Sequence, residues 1–328
     1  MVVVADGESD GAWREAVQLG GRVIVNVRAA GPAAARNLGA QAASGDVLLF
    51  IDSDVVVKSD TIERVREAFE RDPELAALIG SYDSEPGAQT FLSQYRNLLH
   101  HFTHQNSRED AVTFWGACGA IRRKIFVESG WYDERYDRPC VEDIELGYRL
   151  NRAGHRIILR KDIQVKHLKR WTALSMIHTD VFSRAVPWTE LLLSYHAFRN
   201  DLNLRVEHRM STALVFGLLA SLVGIAYGAG GMLVGAVALA IALAVLLIGL
   251  NAPFYDLLRR KKGLLFAIGA VPWHWFFYAY SGLGFVLGSI RFVWRKLIGG
   301  QPSRAPIRVS TLPSAETRSS RKLARAAI

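Results

Sequence analysis

The chain has 328 residues, half of them hydrophobic, with a formal net charge of +9 at pH 7 and a pI of about 9.7. This length allows one large domain or two smaller ones. No signal peptide is evident, and two cysteines are too few for a disulfide framework or a zinc cluster. Many basic residues lie beside apolar runs, which favours anionic lipid at a cytoplasmic membrane surface. The part of the chain before residue 211 has no basic stripe interleaved with aromatic residues, which would have indicated nucleic-acid binding.

The first segments predict an α/β domain. Residues 1–5 form an apolar strand that ends at Asp6, in an acidic loop flanked by glycines. Asp6 could receive a base or a ribose, or belong to a plain acidic turn. Residues 22–27 predict a second strand, and residues 32–43 predict a helix with proline in its first turn. Arg36 on this helix could meet a phosphate or be an ordinary exposed arginine.

The most informative stretch is the apolar run 47–51, which leads directly into Asp52, Ser53 and Asp54. The run is short and rich in β-formers, so it predicts a strand buried on both faces. Both carboxylates then lie at the carboxyl end of that strand, where open α/β sheets place their ligands. A turn there can point both at one hard cation, Mg²⁺ or Mn²⁺, which would hold a diphosphate. A solvated turn at the strand end is the alternative.

The alternation of strands and helices continues. The pattern predicts helices over 60–69 and 88–105, a strand over 75–81, a small apolar stretch over 114–120 and a short helix that ends at Gly130.

A second acidic site follows at Glu142 and Asp143, in the first turn of a helix predicted over 141–150. The helix dipole favours carboxylates there, so a purely structural role is one interpretation. The other is a general base that faces an acceptor hydroxyl. Residues 156–159 then predict a further strand.

Three residues after this strand carry a further hypothesis. His167 could be a ligand of a metal or a diphosphate, although a lone histidine is more often a surface or core residue. Arg170 could clamp a phosphate, and Trp171 beside it could stack on a ring.

The second half of the chain contains two long stretches without Asp, Glu, Lys or Arg, at 211–255 and 263–290. A span needs about 20 apolar residues. The first stretch therefore predicts two spans, 212–227 and 232–250, joined as a tight hairpin by a glycine-rich turn. The second, rich in aromatic residues, either crosses the membrane or lies in its interface. Only the second choice keeps the basic tail inside.

These observations predict five segments. We expect a catalytic domain over 1–172, amphipathic interfacial helices over 173–210 (or helices packed on the catalytic domain), a transmembrane hairpin over 211–250, a basic loop with a third membrane or re-entrant segment over 251–298, and a disordered basic tail over 299–328. The protein would be a multi-pass protein of the cell inner membrane, with its catalytic domain on the cytoplasmic side.

The order of motifs resembles family 2 glycosyltransferases of GT-A fold that carry carboxy-terminal membrane helices. Residues 4–11 stand in place of the family's strand-D-x-S-x-D-G, and 31–39 match its G-x-x-x-A-R-N-x-G. Asp52-Ser53-Asp54 matches its D-x-D, and 142–150 match its E-D-x-x-L-x-x-R-L. The resemblance implies a Rossmann-like mixed sheet flanked by helices, followed by an α-helical membrane domain.

The resemblance also implies roles for single residues. Asp6 would contact the base or ribose of a UDP- or GDP-sugar, and Arg36 would lie near the nucleotide. Asp52 and Asp54 would hold the donor through Mg²⁺ or Mn²⁺, with Asp54 the closer ligand. Asp143 would deprotonate a hydroxyl of a lipid-linked or glycan acceptor, so the anomeric centre would be inverted.

Two departures from the family pattern stand out. Arg170-Trp171 resembles the end of the Q-x-x-R-W motif of processive members, but His167 holds the place of its glutamine. The family also opens with an extra strand that carries P-x-x-N-E, and this chain begins after it. We therefore expect a longer gene product, because the missing strand would leave two neighbouring strands with unpaired edges.

Other functions remain as alternatives. A catalytically impaired relative that serves as a membrane binding or assembly subunit would fit the missing strand, although the intact Asp52, Asp54 and Asp143 argue against it. A nucleotidyltransferase would need a glycine-rich phosphate loop near the amino terminus, which this sequence lacks. A transporter is disfavoured, because two or three spans without buried charge enclose little.

Overall fold

The computed structural model describes residues 1–7, 11–196 and 202–299. Most of the predicted acidic loop after Asp6 and nearly all of the predicted disordered tail lie outside the described residues.

In the described residues, eight strands make up the sheets: β1 Val2–Asp6, β2 Arg22–Asn26, β3 Val47–Ile51, β4 Val55–Val57, β5 Ala77–Tyr82, β6 Asp110–Ala111, β7 Cys118–Arg122 and β8 Ile157–His167. The helices of this part are α1 Trp13–Gln18, α2 Pro32–Ala42, α3 Thr61–Arg71, α4 Phe91–Asn106, α5 Arg123–Glu128 and α6 Glu142–Arg152.

The strands form a mixed sheet, which confirms the predicted α/β class. Its order is β3-β7-β5-β8-β4, and the short β6 also pairs with β8. Only β5 and β8 run parallel, while the other pairs are antiparallel. The pair β1-β2 forms a separate parallel sheet, so the predicted single sheet is divided in two. Among the described strands, β1 pairs only with β2 and β3 pairs only with β7.

The apolar run before Asp52 is a strand because its side chains have a core to fill. Phe50 of β3 packs edge-on against Phe114 and Tyr132, and at a tilt against Phe126. Ala33 and Ala40 of α2 belong to the same cluster. This core fixes the end of β3, and with it the two acidic residues that follow.

The segment after β8 is built from shorter pieces than the predicted interfacial helix. It consists of α7 Ala173–His178, a π-helix Thr179–Ala185 and α8 Val186–Tyr195. The side chains of Asp180, Val181 and Leu192 are buried. The pieces therefore pack on residues 1–172, which were predicted to form the catalytic domain and are here called the catalytic part. Short π-helical stretches are rare, and they occur often at functional sites.

Three described helices are long and apolar enough to cross a membrane: α9 Val206–Tyr227, α10 Gly231–Lys262 and α11 Leu264–Leu297. Helices α9 and α10 pack closely along each other as the predicted hairpin. Few of their side chains are buried, so most of the hairpin has no protein around it.

Helix α11 follows the catalytic part along much of its length. Near its start, Phe266 packs against Phe91 of α4 with ring centroids 4.7 Å apart. Further on, a Cβ built on Gly284 would lie 2.6 Å from Cβ of Ala185, so the glycine permits close contact with the π-helix. Near its end, Arg295 donates to Glu190 of α8 at 2.9 Å.

A buried ion pair joins α11 to the domain. Asp180 of the π-helix accepts at Oδ1 from Arg96 of α4 and at Oδ2 from the Tyr280 hydroxyl of α11, the latter at 2.8 Å. Both ionic side chains are about 5% exposed or less. Removing one partner of such a pair leaves an uncompensated buried charge, which is strongly destabilising.

We therefore expect Arg96→Leu to lower the free energy of unfolding by about 3–5 kcal/mol, because Asp180 would keep a buried charge without its cation. Tyr280→Phe removes one hydrogen bond to that carboxylate and should cost less, about 1.5–3 kcal/mol. Melting of the detergent-solubilised full chain measures both. Arg66→Leu, on the exposed face of α3, is the matched control, and equal melting of the Arg96 and Arg66 variants would contradict this account.

Candidate functional site

The acidic residues after β3 open into a cavity of about 370 Å³, here called the acid-lined cavity. Its lining residues come from α2, the β3–β4 turn, α4, α6, the end of β8 and the π-helix. Those with functional side chains are Arg36, Asp52, Asp54, His100, His104, Glu142, Asp143, His167, Lys169, Ser183 and Arg184.

Asp54 and His167 meet here because β4 pairs with the end of β8. Val55 is the register partner of His167, and the Leu168 amide donates to the Asp54 carbonyl at 2.8 Å. This pairing brings the two side chains together, with 3.4 Å between His167 Nε2 and Asp54 Oδ2. This hydrogen bond lowers the pKa of Asp54, so the carboxylate is ionised at neutral pH.

The imidazole of His167 is held from two sides. The Tyr82 ring stacks on it at 4.4 Å, and Nδ1 lies 2.8 Å from Oδ1 of the buried Asn97. The two ring nitrogens are thus held apart in role, with Nδ1 beside Asn97 and Nε2 facing Asp54.

Arg36 spans the opposite wall. Its guanidinium donates to Asp52 Oδ1 at 2.7 Å and to Glu142 Oε1 at 2.8 Å, and it lies over the Tyr132 ring. Glu142 is buried, and its second oxygen accepts from the Cys140 amide at 2.9 Å. Arg36 therefore ties α2 to the end of β3 and to the start of α6.

Asp143 differs from its neighbour Glu142. Its oxygens accept from the backbone amides of Gly116 at 3.0 Å and Ile144 at 2.8 Å, and no cationic side chain in the described part of the chain hydrogen-bonds to it. Burial and the nearby charge of Glu142 raise its pKa to about 6, despite the opposing charge of Arg36. A carboxyl that titrates this close to neutral pH suits general base catalysis.

The residues fit a hard divalent cation in part. Within the described part of the chain, no group of three or more His, Cys, Asp or Glu side chains is assembled as a metal cluster. Asp54 and His167 nevertheless converge on one point of the cavity. Mg²⁺ commonly takes only one or two carboxylates from the protein and the rest of its ligands from water and substrate phosphates. Asp52 is engaged by Arg36, so Asp54 is the more available carboxylate.

Three predicted binding residues lie elsewhere or are occupied. Asp6 does not line the cavity; it accepts from Asn26, Ala30 and Gly31 and so closes the loop before α2.

Arg170 is exposed and lies outside the cavity lining as well. Trp171 touches the cavity, but it is only 3% exposed and packs in a core cluster with Tyr95 and Leu98 of α4. It has no open face on which a ring could stack.

The sequence reasoning missed the residues that the π-helix and α8 bring to the cavity. Ser183, Arg184 and Trp188 line the wall on the side of the apolar helices. No recognised motif covers them. The available signal was an arginine and a tryptophan in a segment predicted as amphipathic helices, either at the membrane interface or packed on the catalytic domain.

The amino-terminal part of the chain is similar to known proteins. Residues 1–130 match the family model of glycosyl transferase family 2. The chain is also 26% identical over 186 residues to the O-antigen biosynthesis protein RfbC of Myxococcus xanthus. That match covers 51% of this chain and 14% of the relative. The predicted resemblance to family 2 glycosyltransferases is thus confirmed over residues 1–130.

Two solved structures are distantly similar. One is the mannosyltransferase PcManGT from Pyrobaculum calidifontis in complex with GDP-Man and Mn²⁺, at 18% identity and a TM-score of 0.44, covering 90% of this chain and 78% of that one. The other is GalNAc-T7 with UDP, GalNAc and Mn²⁺, at 17% identity and a TM-score of 0.43, covering 64% and 44% of the two chains.

Replacing Arg36 should change the titration of Asp143. The guanidinium favours the ionised carboxylate, so Arg36→Met should raise the pKa of Asp143 well above its value of about 6. The carboxyl stretching band of Asp143, followed by infrared spectroscopy against pH and assigned with Asp143→Asn, measures this shift. Arg170→Met removes an arginine outside the cavity and should leave the titration unchanged. An unshifted band in the Arg36 variant would refute the electrostatic coupling.

Proposed function

We propose that this protein is a membrane-attached inverting glycosyltransferase, which transfers a sugar from a UDP- or GDP-sugar to a lipid-linked acceptor. The observation that carries the proposal is that one cavity contains both a candidate metal-binding pair and a candidate general base. The Asp54–His167 pair lies on one wall. Asp143, whose pKa is raised to about 6, lies on another.

The residues support a single displacement. Asp143 takes the proton of the acceptor hydroxyl, and the hydroxyl oxygen forms a bond to the anomeric carbon. The bond from that carbon to the diphosphate oxygen breaks, and its electron pair leaves with the nucleotide diphosphate. Because only one carboxylate acts on the reacting atoms, no covalent enzyme intermediate forms and the configuration inverts.

The remaining side chains would stabilise the negative charge of the donor diphosphate or position the groups that do so. Asp54 and His167 would be the protein ligands of Mg²⁺ or Mn²⁺, which stabilises negative charge on the leaving diphosphate. Arg36 and Lys169 add positive charge to the same cavity. Glu142 positions Arg36 through their 2.8 Å bond, and its own contacts leave it no access to an acceptor.

The contacts of α11 support one membrane arrangement. A helix that crossed the bilayer would leave the catalytic part behind, yet α11 touches α4, the π-helix and α8 in turn. Its outward side chains, among them Leu265, Leu283 and Leu297, are apolar and exposed. We infer that α11 lies in the membrane interface with the catalytic part on one face and lipid on the other. Only the α9–α10 hairpin then spans the bilayer.

The activity test is nucleotide release from a panel of UDP- and GDP-sugars by the full chain in nanodiscs, with Mn²⁺ or Mg²⁺. The rate should rise with pH through about 6, because Asp143 acts as a base only when deprotonated and its pKa is raised to about 6. Asp143→Asn should keep donor binding and lose transfer, whereas Asp54→Ala should lower turnover about 100-fold or more by weakening charge stabilisation.

Two results would reverse these assignments. Loss of transfer in Glu142→Gln but not in Asp143→Asn would make Glu142 the base. Donor binding without turnover of any sugar nucleotide would favour the membrane binding subunit.

The proposed topology predicts a labelling pattern. After the native cysteines are replaced, cysteine at Arg260 and at Gly299 should react with an impermeant maleimide only from the cytoplasmic side. Cysteine at Ala229, in the hairpin turn, should react only from the outside. Labelling of the Gly299 position from outside intact cells would mean that α11 crosses the membrane.

A further inference from the structure

A second cavity, here called the apolar cavity, lies between the catalytic part and the apolar helices. Its volume is about 560 Å³, which is within the usual range of about 300–1,000 Å³ for small-molecule sites. Its walls come from α4, the π-helix, α8, α9 and α11. They are mostly apolar, and include Leu99, Leu192, Phe216, Phe277, Phe285 and Val286.

The apolar cavity and the acid-lined cavity share two wall residues, Arg184 and Trp188. The Trp188 indole is fixed, because its Nε1 donates to the Tyr148 hydroxyl at 2.7 Å. One elongated ligand could therefore place a polar end near Asp143 and an apolar end among the helices.

The outer wall of the apolar cavity faces the membrane. Phe216 of α9 and Phe285 and Val286 of α11 are between 37% and 48% exposed, and in the proposed topology these faces lie against lipid. A chain longer than the cavity can extend between α9 and α11 into the bilayer.

The charges around the apolar cavity favour an anion. Asp180 is the one carboxylate among its described lining residues, against the arginines Arg96, Arg184 and Arg209. Both Asp180 oxygens are already bonded, to Arg96 and Tyr280, so Arg184 stays 3.9 Å away.

Among the described residues, Arg184 has no other anion within reach of an ion pair. Its Nη1 is 3.2 Å from Nε2 of His100, whose pKa burial lowers well below the ordinary value, so that imidazole is neutral. Nε of Arg96, in a side chain about 5% exposed, has no hydrogen-bond partner in the described protein. Arg184, on the wall that the two cavities share, and Arg96, on the wall of the apolar cavity, thus both keep hydrogen-bonding capacity for an anion.

We propose that the apolar cavity binds the hydrocarbon chain of the acceptor, which is a glycolipid with one long chain and a phosphate linkage, and that Arg184 binds the phosphate. Guanidinium groups suit phosphate through charge-assisted hydrogen bonds. The sugar beyond the phosphate then presents its hydroxyl group to Asp143. This hydroxyl is the group that needs a base. This inference rests on the proposed glycosyl transfer.

Binding can be tested without turnover, using the full chain in nanodiscs. The probes are a long-chain polyisoprenyl diphosphate-linked sugar, the same head group on a short chain, and the long-chain alcohol. Native mass spectrometry gives their relative affinities. We expect the first probe to bind at least about 10-fold more tightly than either of the others. Equal binding of the short-chain probe would remove the chain site, and equal binding of the alcohol would remove the phosphate site.

Variants locate the site. Ser281→Trp places a large side chain in the apolar cavity and should abolish the preference for the long chain, and Ala213→Trp on α9 tests the same space from the facing helix. Leu283→Trp, on the exposed side of α11, should leave the preference intact. Arg184→Gln should abolish the preference for phosphate over alcohol, while Arg260→Gln should not. Three of these substitutions fill space or remove charge at the site: Ser281→Trp, Ala213→Trp and Arg184→Gln. Unchanged preferences in these three variants would overturn the proposal.

The result separates this inference from the proposed function. If nucleotide is released and a soluble acceptor is glycosylated while long-chain and short-chain probes bind equally, the enzyme stands and the lipid site is wrong. If the binding preferences appear but no sugar nucleotide is turned over, the lipid site stands and the glycosyl transfer is wrong.

Discussion

The Arg36 guanidinium, held between Asp52 and Glu142, is the contact on which the acid-lined cavity depends. It reaches from α2 to the end of the next element, β3, and to the start of α6, 106 residues further along the chain. Without a cation among them, the carboxylates would repel one another in a partly buried space. The same charge limits how far burial raises the pKa of Asp143. The Arg36 side chain thus both holds these elements together and influences the pKa of Asp143.

A second buried charge organises the other end of the site. Asp180 binds Arg96 from the catalytic part and Tyr280 from α11, so it fixes the π-helix relative to both. Arg184 and Trp188 follow Asp180 closely in sequence, and they form the wall between the two cavities. A single rigid segment therefore positions the groups that would meet the acceptor.

Local sequence patterns predicted the parts of this structure that depend on local physics. The apolar run into Asp52 and Asp54 fixes a strand end, and the acids at the start of α6 follow helix preferences. The pairing of Asp54 with His167 depends on the register of β4 on β8, which no local pattern carries. Trp171 looked available because its sequence does not show that α4 and the membrane helices enclose it.

Two further sequence features had more than one interpretation. Asp6 lies at a strand end, as expected, but its oxygens are engaged by the loop before α2. The segment after β8, predicted as helices at the membrane interface or packed on the catalytic domain, is broken and buried, because its polar residues find partners on α4 and α11 rather than in water. In both cases tertiary partners decided what the local pattern left open.

The dependence of the catalytic part on α11 has a consequence for biosynthesis. The ribosome makes α4 and the π-helix well before α11. The apolar face of α4 around Tyr95 and Leu98 therefore lacks its contacts with α11 until the rest of the chain is made. Asp180 likewise lacks its bond from Tyr280 during that interval. Exposed apolar surface in an unfinished chain promotes aggregation. In the proposed topology the hairpin enters the bilayer before α11 is made, so the catalytic part would complete its fold only at the membrane.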